Sequence, residues 1–329
     1  MVVELAWFLG SALAVIGAGV VLSRTADCIS ERTGFGGLAV GSILLAGVTT
    51  LPEIVTDVSA VRMGALDLGV GDILGSCLFN LFILALIDLV HDRRHQVGVL
   101  RRVVAGHEKA AALSIVLLAT AAVFILLRIP TAVFGVGIGT LLLGAIYLFG
   151  MRAVLRGEAG RIEEVEPPAE TGMSLRAAIL GFVLAASVVV LAGPRLAHSA
   201  EAIAAASGFG ATFFGTTFLA IVTSLPELVA SLTALRIGAR DLAVGNLFGS
   251  NAFNVAVLLI FDAAYREGAL LAAVRPSHVL TAAFAVALTA MALRSLRAGH
   301  DRRLWWAGPD ALAMMAVFTA GLGVLYVLR

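Results

Sequence analysis

A forty-residue segment occurs twice in this chain. Residues 41–80 (GSILLAGVTTLPEIVTDVSAVRMGALDLGVGDILGSCLFN) and 215–254 (GTTFLAIVTSLPELVASLTALRIGARDLAVGNLFGSNAFN) align without a gap at a constant offset of 174, and 21 of the 40 positions are identical. The same offset carries an apolar stretch near 4–22 onto a second one near 177–197. Whatever the first copy builds, the second builds again. A duplication that served only as scaffold predicts identities scattered over apolar packing positions. Here they include, besides apolar positions, four Gly and the Thr, Pro, Glu, Ser and Asn of two motifs, residues that are costly or helix-breaking in lipid.

Lipid is the solvent that the composition demands. Of 329 residues, 60% are apolar and 14% charged, against about 45–50% and roughly 25% in a soluble domain. The same proportions exclude disorder. A net charge of +1 gives no electrostatic case for nucleic acid. The two cysteines, Cys28 and Cys77, form neither a disulfide framework nor a metal-binding pair. A hydrocarbon core of about 30 Å needs roughly 20 apolar residues per helix. Ten such stretches are present, near 4–22, 37–61, 68–90, 110–127, 130–150, 177–197, 210–235, 242–263, 278–295 and 308–328. The first contains Glu4 and lacks a basic leader or a cleavage site, so it reads as a retained span. Segment 151–175, with Glu158, Glu163, Glu164, Glu166, Pro167, Pro168 and Glu170, reads as a solvated linker.

The expected organisation is therefore a first five-helix repeat over 1–150, an acidic linker over 151–175, and a second five-helix repeat over 176–329. Five is odd, so the second copy enters the membrane with opposite polarity, the arrangement of many secondary transporters. The expected fold class is an all-α polytopic membrane protein of about ten transmembrane helices in two inverted repeats. Lys and Arg then divide 17 to 6 between the two sides. This bias places the linker in the cytoplasm and both termini outside it, in a multi-pass protein of the cell membrane.

Two motifs recur within the repeat. In Thr49-Thr50-Leu51-Pro52-Glu53 and Thr223-Ser224-Leu225-Pro226-Glu227, hydroxyls precede a proline and a carboxylate follows it. Proline removes a donor and frees a carbonyl one turn upstream. Carbonyl, hydroxyl and carboxylate oxygens together are what a hard cation such as Ca²⁺ or Na⁺ requires. A glutamate at membrane depth costs at least about 2.5 kcal/mol, and the chain carries two at mated positions. In the second motif Asp72, Ser76 and Asn80 fall at i, i+4, i+8 and make one polar stripe, as do Asn246, Ser250 and Asn254. Gly75 and Gly249 beside the stripes allow close helix approach. Alone, such a stripe serves interhelical adhesion as readily as ion binding. Beside the proline–glutamate motif it favours a cation site.

The paired motifs resemble the alpha-repeats of the cation/calcium exchanger superfamily, whose sodium/calcium exchanger membrane region has ten helices. The resemblance implies an antiporter that exchanges Ca²⁺ for Na⁺ by alternating access, with no cofactor and no enzymatic activity. Its partners are inorganic cations and the bilayer; no obligate protein partner is implied. It further implies Ca²⁺ between Glu53 and Glu227, flanked by Ser76, Ser250 and the backbone carbonyls of Ala46 and Ala220. Na⁺ ligands map to Thr49, Thr50, Thr223 and Ser224, with the same serines and carboxylates, and Asn80 and Asn254 are additional polar positions. Spans one and six match a sliding, gating pair.

Three departures bear on the coupling ion. Asn stands at both 80 and 254, where related exchangers usually have one Asp; Asp72 replaces the usual Asn; and Asp57, with Ser231 as its mate, is a further acid. Two central carboxylates still neutralise Ca²⁺, but H⁺ stays open as the driver, and another divalent ion as the cargo. A passive channel lined by the same ligands and an intramembrane aspartyl protease, suggested by the string Gly69-Val70-Gly71-Asp72, are weaker readings. The mate of that string is Ala243-Val244-Gly245-Asn246, so no aspartyl dyad is duplicated. Cysteines introduced at Gly160 and at the C-terminus are expected to label from opposite sides of intact cells; labelling from one side would remove the inverted repeat.

Overall fold

The computed structural model describes residues 2–33, 45–95, 99–101, 106–158, 173–236, 240–298 and 309–328. The first half contains α1 (Val2–Thr33), α2 (Leu51–Arg62), α3 (Leu66–His95), α4 (Gly106–Leu127) and α5 (Ile138–Glu158). The second contains α6 (Leu175–Ser207), α7 (Ala211–Thr223), α8 (Leu225–Arg236), α9 (Arg240–Tyr265), α10 (His278–Ala298) and α11 (Pro309–Val327). Residues 45–49 are helical and lead into α2 across a turn at Thr50. Among the described residues seven helices are long and apolar enough to span a bilayer, and α7 with α8, bent by 42°, makes an eighth. The expected span at 37–61 begins outside the described residues, as does most of the linker.

One expected boundary is corrected. The stretch 130–150 does not start as a helix: residues Ala132–Val133 pair with Val136–Gly137 in a tight hairpin, and α5 begins at Ile138. Phe134 (φ 52°) and Gly135 (φ 81°) both take left-handed conformations that turn the hairpin and stop a helix. Apolar content alone read this hairpin as membrane depth.

The halves pack as mates. Helix α1 lies along α6, α4 along α10, and α3 crosses α9; α5 packs on α9 and α11 on α3. The windows of α3 and α9 that cross the bilayer are each 83% buried, against 17% for α6, so α3 and α9 form the centre. Cys77 of α3 and its mate Asn251 of α9 bond each other's backbone carbonyls, Cys77 Sγ at 3.7 Å and Asn251 Nδ2 at 3.2 Å. Two mated positions touch reciprocally only where a pseudo-two-fold axis passes between them.

The symmetry extends beyond the forty-residue segment. Asp67 at the start of α3 takes Nε2 of His278 from α10, and its mate Asp241 at the start of α9 takes Nε2 of His107 from α4, both at 3.0 Å. The two histidines are 171 residues apart, so the gapless offset does not reveal them. Asp88 and Asp262, mates farther along α3 and α9, are also buried. Asp88 accepts Leu100 N at 3.2 Å; Asp262 accepts Gly137 N at 2.9 Å, Leu270 N at 3.0 Å and the Thr140 hydroxyl. These carboxylates tie connecting segments to the central helices.

Helices α1 and α6 stand apart from the main core. Phe8, Ala12 and Val15 pack with Leu196, Ala197, Ala200, Ile203 and Ala204, whereas the large central cluster draws on neither helix. Glu4 and Trp7 hold Arg195, at 3.1 Å from a carboxylate oxygen and 4.7 Å over the indole. Both helices meet the proline–glutamate segments through mated glycines: Gly19 abuts Pro226, and Gly193 abuts Val55 and Thr56.

Glycine also sets the contact between α3 and α7. A Cβ on Gly75 would overlap the backbone of Thr216, so the stripe helix meets the other repeat at main-chain distance. Gly75→Ala is expected to destabilise the protein by about 1–3 kcal/mol, as overpacking does. Gly10, whose Cβ would meet nothing within 4 Å, is the control: Gly10→Ala should leave thermal unfolding, followed by fluorescence-detected size exclusion, unchanged.

Candidate cation site

Both proline–glutamate segments break their helices in the same way. Thr50 (φ −78°, ψ −4°) and Ser224 (φ −89°, ψ 7°) occupy the break, and Pro52 and Pro226 follow two residues on. The broken helices persist at membrane depth because they are buried among other helices. Gly215–Leu219 adds a π-helical turn just before the second break, a feature frequent at functional sites. Its mate, 41–45, lies largely outside the described residues.

The carbonyls differ in detail from the sequence expectation. Ala46 O already accepts Thr50 N at 3.0 Å and Ala220 O accepts Ser224 N at 3.1 Å, with the Thr49 and Thr223 hydroxyls at 3.2 and 3.5 Å as longer alternatives to their nearer acceptors. Each keeps part of its acceptor capacity, since a carbonyl has two lone pairs. The carbonyls that lose a helical donor to the prolines are those of Val48 and Val222, four residues upstream. Sequence reasoning did not name these two, although counting four back from each proline finds them.

Every side chain of the expected site is buried. Glu53, Glu227, Asp57, Asp72, Ser76, Ser250, Thr49, Thr50, Thr223, Ser224, Asn80, Asn254 and Asn246 are all 0% exposed. Glu53 sits between the repeats: its Oε1 accepts the Ser224 hydroxyl at 3.1 Å from the second half and approaches the Ser76 hydroxyl at 3.5 Å from the first. Glu227 is held differently. No bond of good geometry reaches its oxygens, although the Thr49 and Thr50 side chains of the first half lie close enough to interact; the Ser250 hydroxyl, mate of Ser76, has no partner. One carboxylate is clasped at hydrogen-bond distance and its mate is held more loosely.

The stripe residues divide among several contacts. Asp72 accepts the Thr223 hydroxyl at 3.0 Å and lies within hydrogen-bonding reach of Asp57. The mated pair in the other half is neutral, Asn246 Nδ2 donating to Ser231 at 3.3 Å. Asn80 bonds Asn251 at 3.0 Å, and Asn254 lies beside the Cys77 thiol. The Thr49 hydroxyl is committed to its own helix, at 3.0 Å from Leu45 O. Glu53 senses the charges of both Glu227 and Asp72.

Glu53, Asp72 and Glu227 thus lie where the repeats meet, with Asp57 beside Asp72 and hydroxyl and amide groups near them. Among the described residues none of the four acids is in an ion pair. No three His, Cys, Asp or Glu side chains there converge as a resident metal chelate. Oxygen ligands of mixed type, only partly charged, suit a hard cation held and released rather than trapped. Glu53 Oε2, Ser250 Oγ and Asn80 Oδ1 are buried with no protein partner, and the Glu227 oxygens and Thr50 Oγ1 have none at good geometry. Such orphans are rare in folded proteins and call for a ligand or water.

Comparison with known proteins returns one family. Residues 3–153 and 177–327 each match the model described as sodium/calcium exchanger protein. CaxA of Alkalimonas amylolytica, described as a candidate antiporter, is 29% identical over 294 residues, covering 85% of each chain. The crystal structure of the H⁺/Ca²⁺ exchanger CAX superposes with a TM-score of 0.74 over 99% of this chain and 86% of that one, at 15% identity. The sodium-calcium exchanger NCX_Mj superposes with a TM-score of 0.63 over 98% of this chain and 99% of that one, at 19% identity. At these identities the two structures share a fold with this chain.

Proposed function

The chain belongs to the sodium/calcium exchanger protein family, a family of membrane transporters, and from that premise we propose that it exchanges Ca²⁺ for Na⁺ by alternating access. The observation that carries this reading is the mated pair Glu53 and Glu227. Each follows a helix-breaking proline, each is fully buried, and they face one another's repeat without a basic partner. In this reading the substrate Ca²⁺ sits between the two carboxylates, with Ser76, Ser250 and the freed or partly free carbonyls of Ala46, Ala220, Val48 and Val222 around it. Na⁺ uses Thr49, Thr50, Thr223 and Ser224 with the same carboxylates, so the ions compete for one set of oxygens.

The asymmetry of the site supports the mechanism. Two mated carboxylates held to different degrees, Glu53 by Ser224 and Glu227 more loosely, accord with an inverted repeat whose halves alternate in state. Helices α1 and α6, bound to each other and excluded from the central core, are suited to move as a pair. Their glycine contacts at Pro226 and at Val55–Thr56 link that movement to the helix breaks. The Lys and Arg bias supports an orientation with the 151–175 linker in the cytoplasm and both termini outside, in the cell membrane.

A second reading, H⁺ in place of Na⁺, is favoured by the acids themselves. Four carboxyl groups with no ion-pair partner among the described residues need cations or protons to persist at membrane depth. Protonating Glu53 and Glu227 would discharge the site after Ca²⁺ leaves. The hydroxyl-rich Thr49-Thr50 and Thr223-Ser224 pairs favour Na⁺.

Two measurements test these statements. Glu53→Gln and Glu227→Gln should each reduce gradient-driven ⁴⁵Ca uptake by at least about a hundredfold, since each strips a charge from a buried ionic site, while the protein still elutes as a folded monodisperse species. Near-normal uptake by either variant would sink the assignment. For the coupling ion, proteoliposomes are given an outward Na⁺ gradient in one arm and a pH gradient in the other. Uptake should follow the Na⁺ arm; equal uptake with and without that gradient excludes Na⁺ coupling, and a response to the pH arm alone establishes the second reading.

A further inference from the structure

We propose that Asn251 is a positioning residue that fixes the side-chain amide of Asn80 so that its oxygen, not its nitrogen, is offered to the transported cation. The inference deepens the exchange reading and rests on it. A backbone carbonyl can only accept, so Asn251 must give Nδ2 to the Cys77 carbonyl, at 3.2 Å. Its Oδ1 therefore points the other way and can only accept. Asn80 meets that oxygen at 3.0 Å and must present its own Nδ2. The Asn80 Oδ1 is thereby turned away from Asn251, buried and bonded to no protein group, one helical turn from Ser76.

This device exists in one half only. The mate of Asn251 is Cys77, whose thiol is a weak donor and a weak acceptor and cannot select one end of an amide. Accordingly Asn254, the mate of Asn80, lies beside that thiol with neither amide atom in a bond of good geometry. Cys77 instead gives its hydrogen to the Asn251 carbonyl at 3.7 Å, which ties α3 to α9 at the axis. The chain thus carries one amide whose ends are fixed by a neighbouring amide and one whose ends are not.

The test is the Ca²⁺ dependence of exchange by the full chain in proteoliposomes, for the unmodified protein, Asn251→Ala, Asn80→Asp and the double variant. Asn251→Ala should raise the KM for Ca²⁺ about tenfold, within the range for coupled neighbours, with the maximal rate changed less than about twofold. Asn80→Asp alone sets a carboxylate oxygen against the fixed Asn251 Oδ1 and should also raise KM. In the double variant that conflict is gone and a carboxylate offers oxygen in either rotamer, so removing Asn251 should lower KM there. This reversal of sign is not produced by a residue that merely packs. An unchanged KM in Asn251→Ala, or the same effect of removing Asn251 whichever residue stands at 80, overturns the inference and leaves the exchange reading standing. Absence of Ca²⁺ exchange in the unmodified protein overturns the exchange reading and this inference together. Should Asn251→Ala fail to fold, Asn251→Ser, which keeps a donor for the Cys77 carbonyl but offers no fixed amide oxygen, is expected to give the same rise and reversal.

Discussion

Charge buried without a counter-charge governs this molecule. Glu53, Asp57, Asp72 and Glu227 are withdrawn from water, and no described basic side chain pairs with them. A carboxylate in such a place is stable only when a cation or a proton shares it. Permanent salt bridges would neutralise the acids and abolish their use as ligands. Leaving them unpaired makes the protein depend on the ions that it carries. Around the acids stand the helix breaks at Thr50 and Ser224, buried serines and threonines, and glycines that bring the two repeats to main-chain distance.

The duplication solves the geometric part of the problem. Two copies with opposite polarity set equivalent helix breaks face to face, and the reciprocal bonds of Cys77 and Asn251 mark the axis between them. The paired contacts of Asp67 with His278 and of Asp241 with His107 hold the two copies together at the starts of the central helices. Departures from symmetry carry the functional information. Ser224 clasps Glu53 while Glu227 is held more loosely; an acidic pair in the first half has a neutral Asn–Ser pair as its mate in the second; one amide is bonded to a neighbouring amide and its mate is not.

Most of this was legible in the residues before any coordinates. The repeat, the odd number of spans, the helix-breaking prolines and the buried glutamates are local patterns, and hydropathy and offset suffice to read them. Two features were misread or missed because they depend on partners distant in the chain, and a third although counting four residues back from each proline finds it. Residues 130–137 are apolar enough for a span, yet the turn at Phe134–Gly135 and the hold of Asp262 on Gly137 N make them a hairpin. The His–Asp contacts follow an offset of 171 and not 174, so only the packing of α4 and α10 reveals them. Ala46 and Ala220 supply carbonyls already used by their own helices, and the prolines strand those of Val48 and Val222 instead.

The sequence by itself determined the membrane environment, the inverted pair of five-helix halves and the identity of the oxygen-bearing residues, because each of these rests on composition, spacing or the missing N–H of proline. Only the tertiary structure decided how each carboxylate is held and which end of the Asn80 amide is bonded. Those outcomes depend on hydrogen bonds between residues 171 apart in the chain, as with Asn80 to Asn251 and Ser224 to Glu53. The two motifs have similar local preferences, so their differences, such as Cys77 against Asn251, take effect only where each copy meets the other.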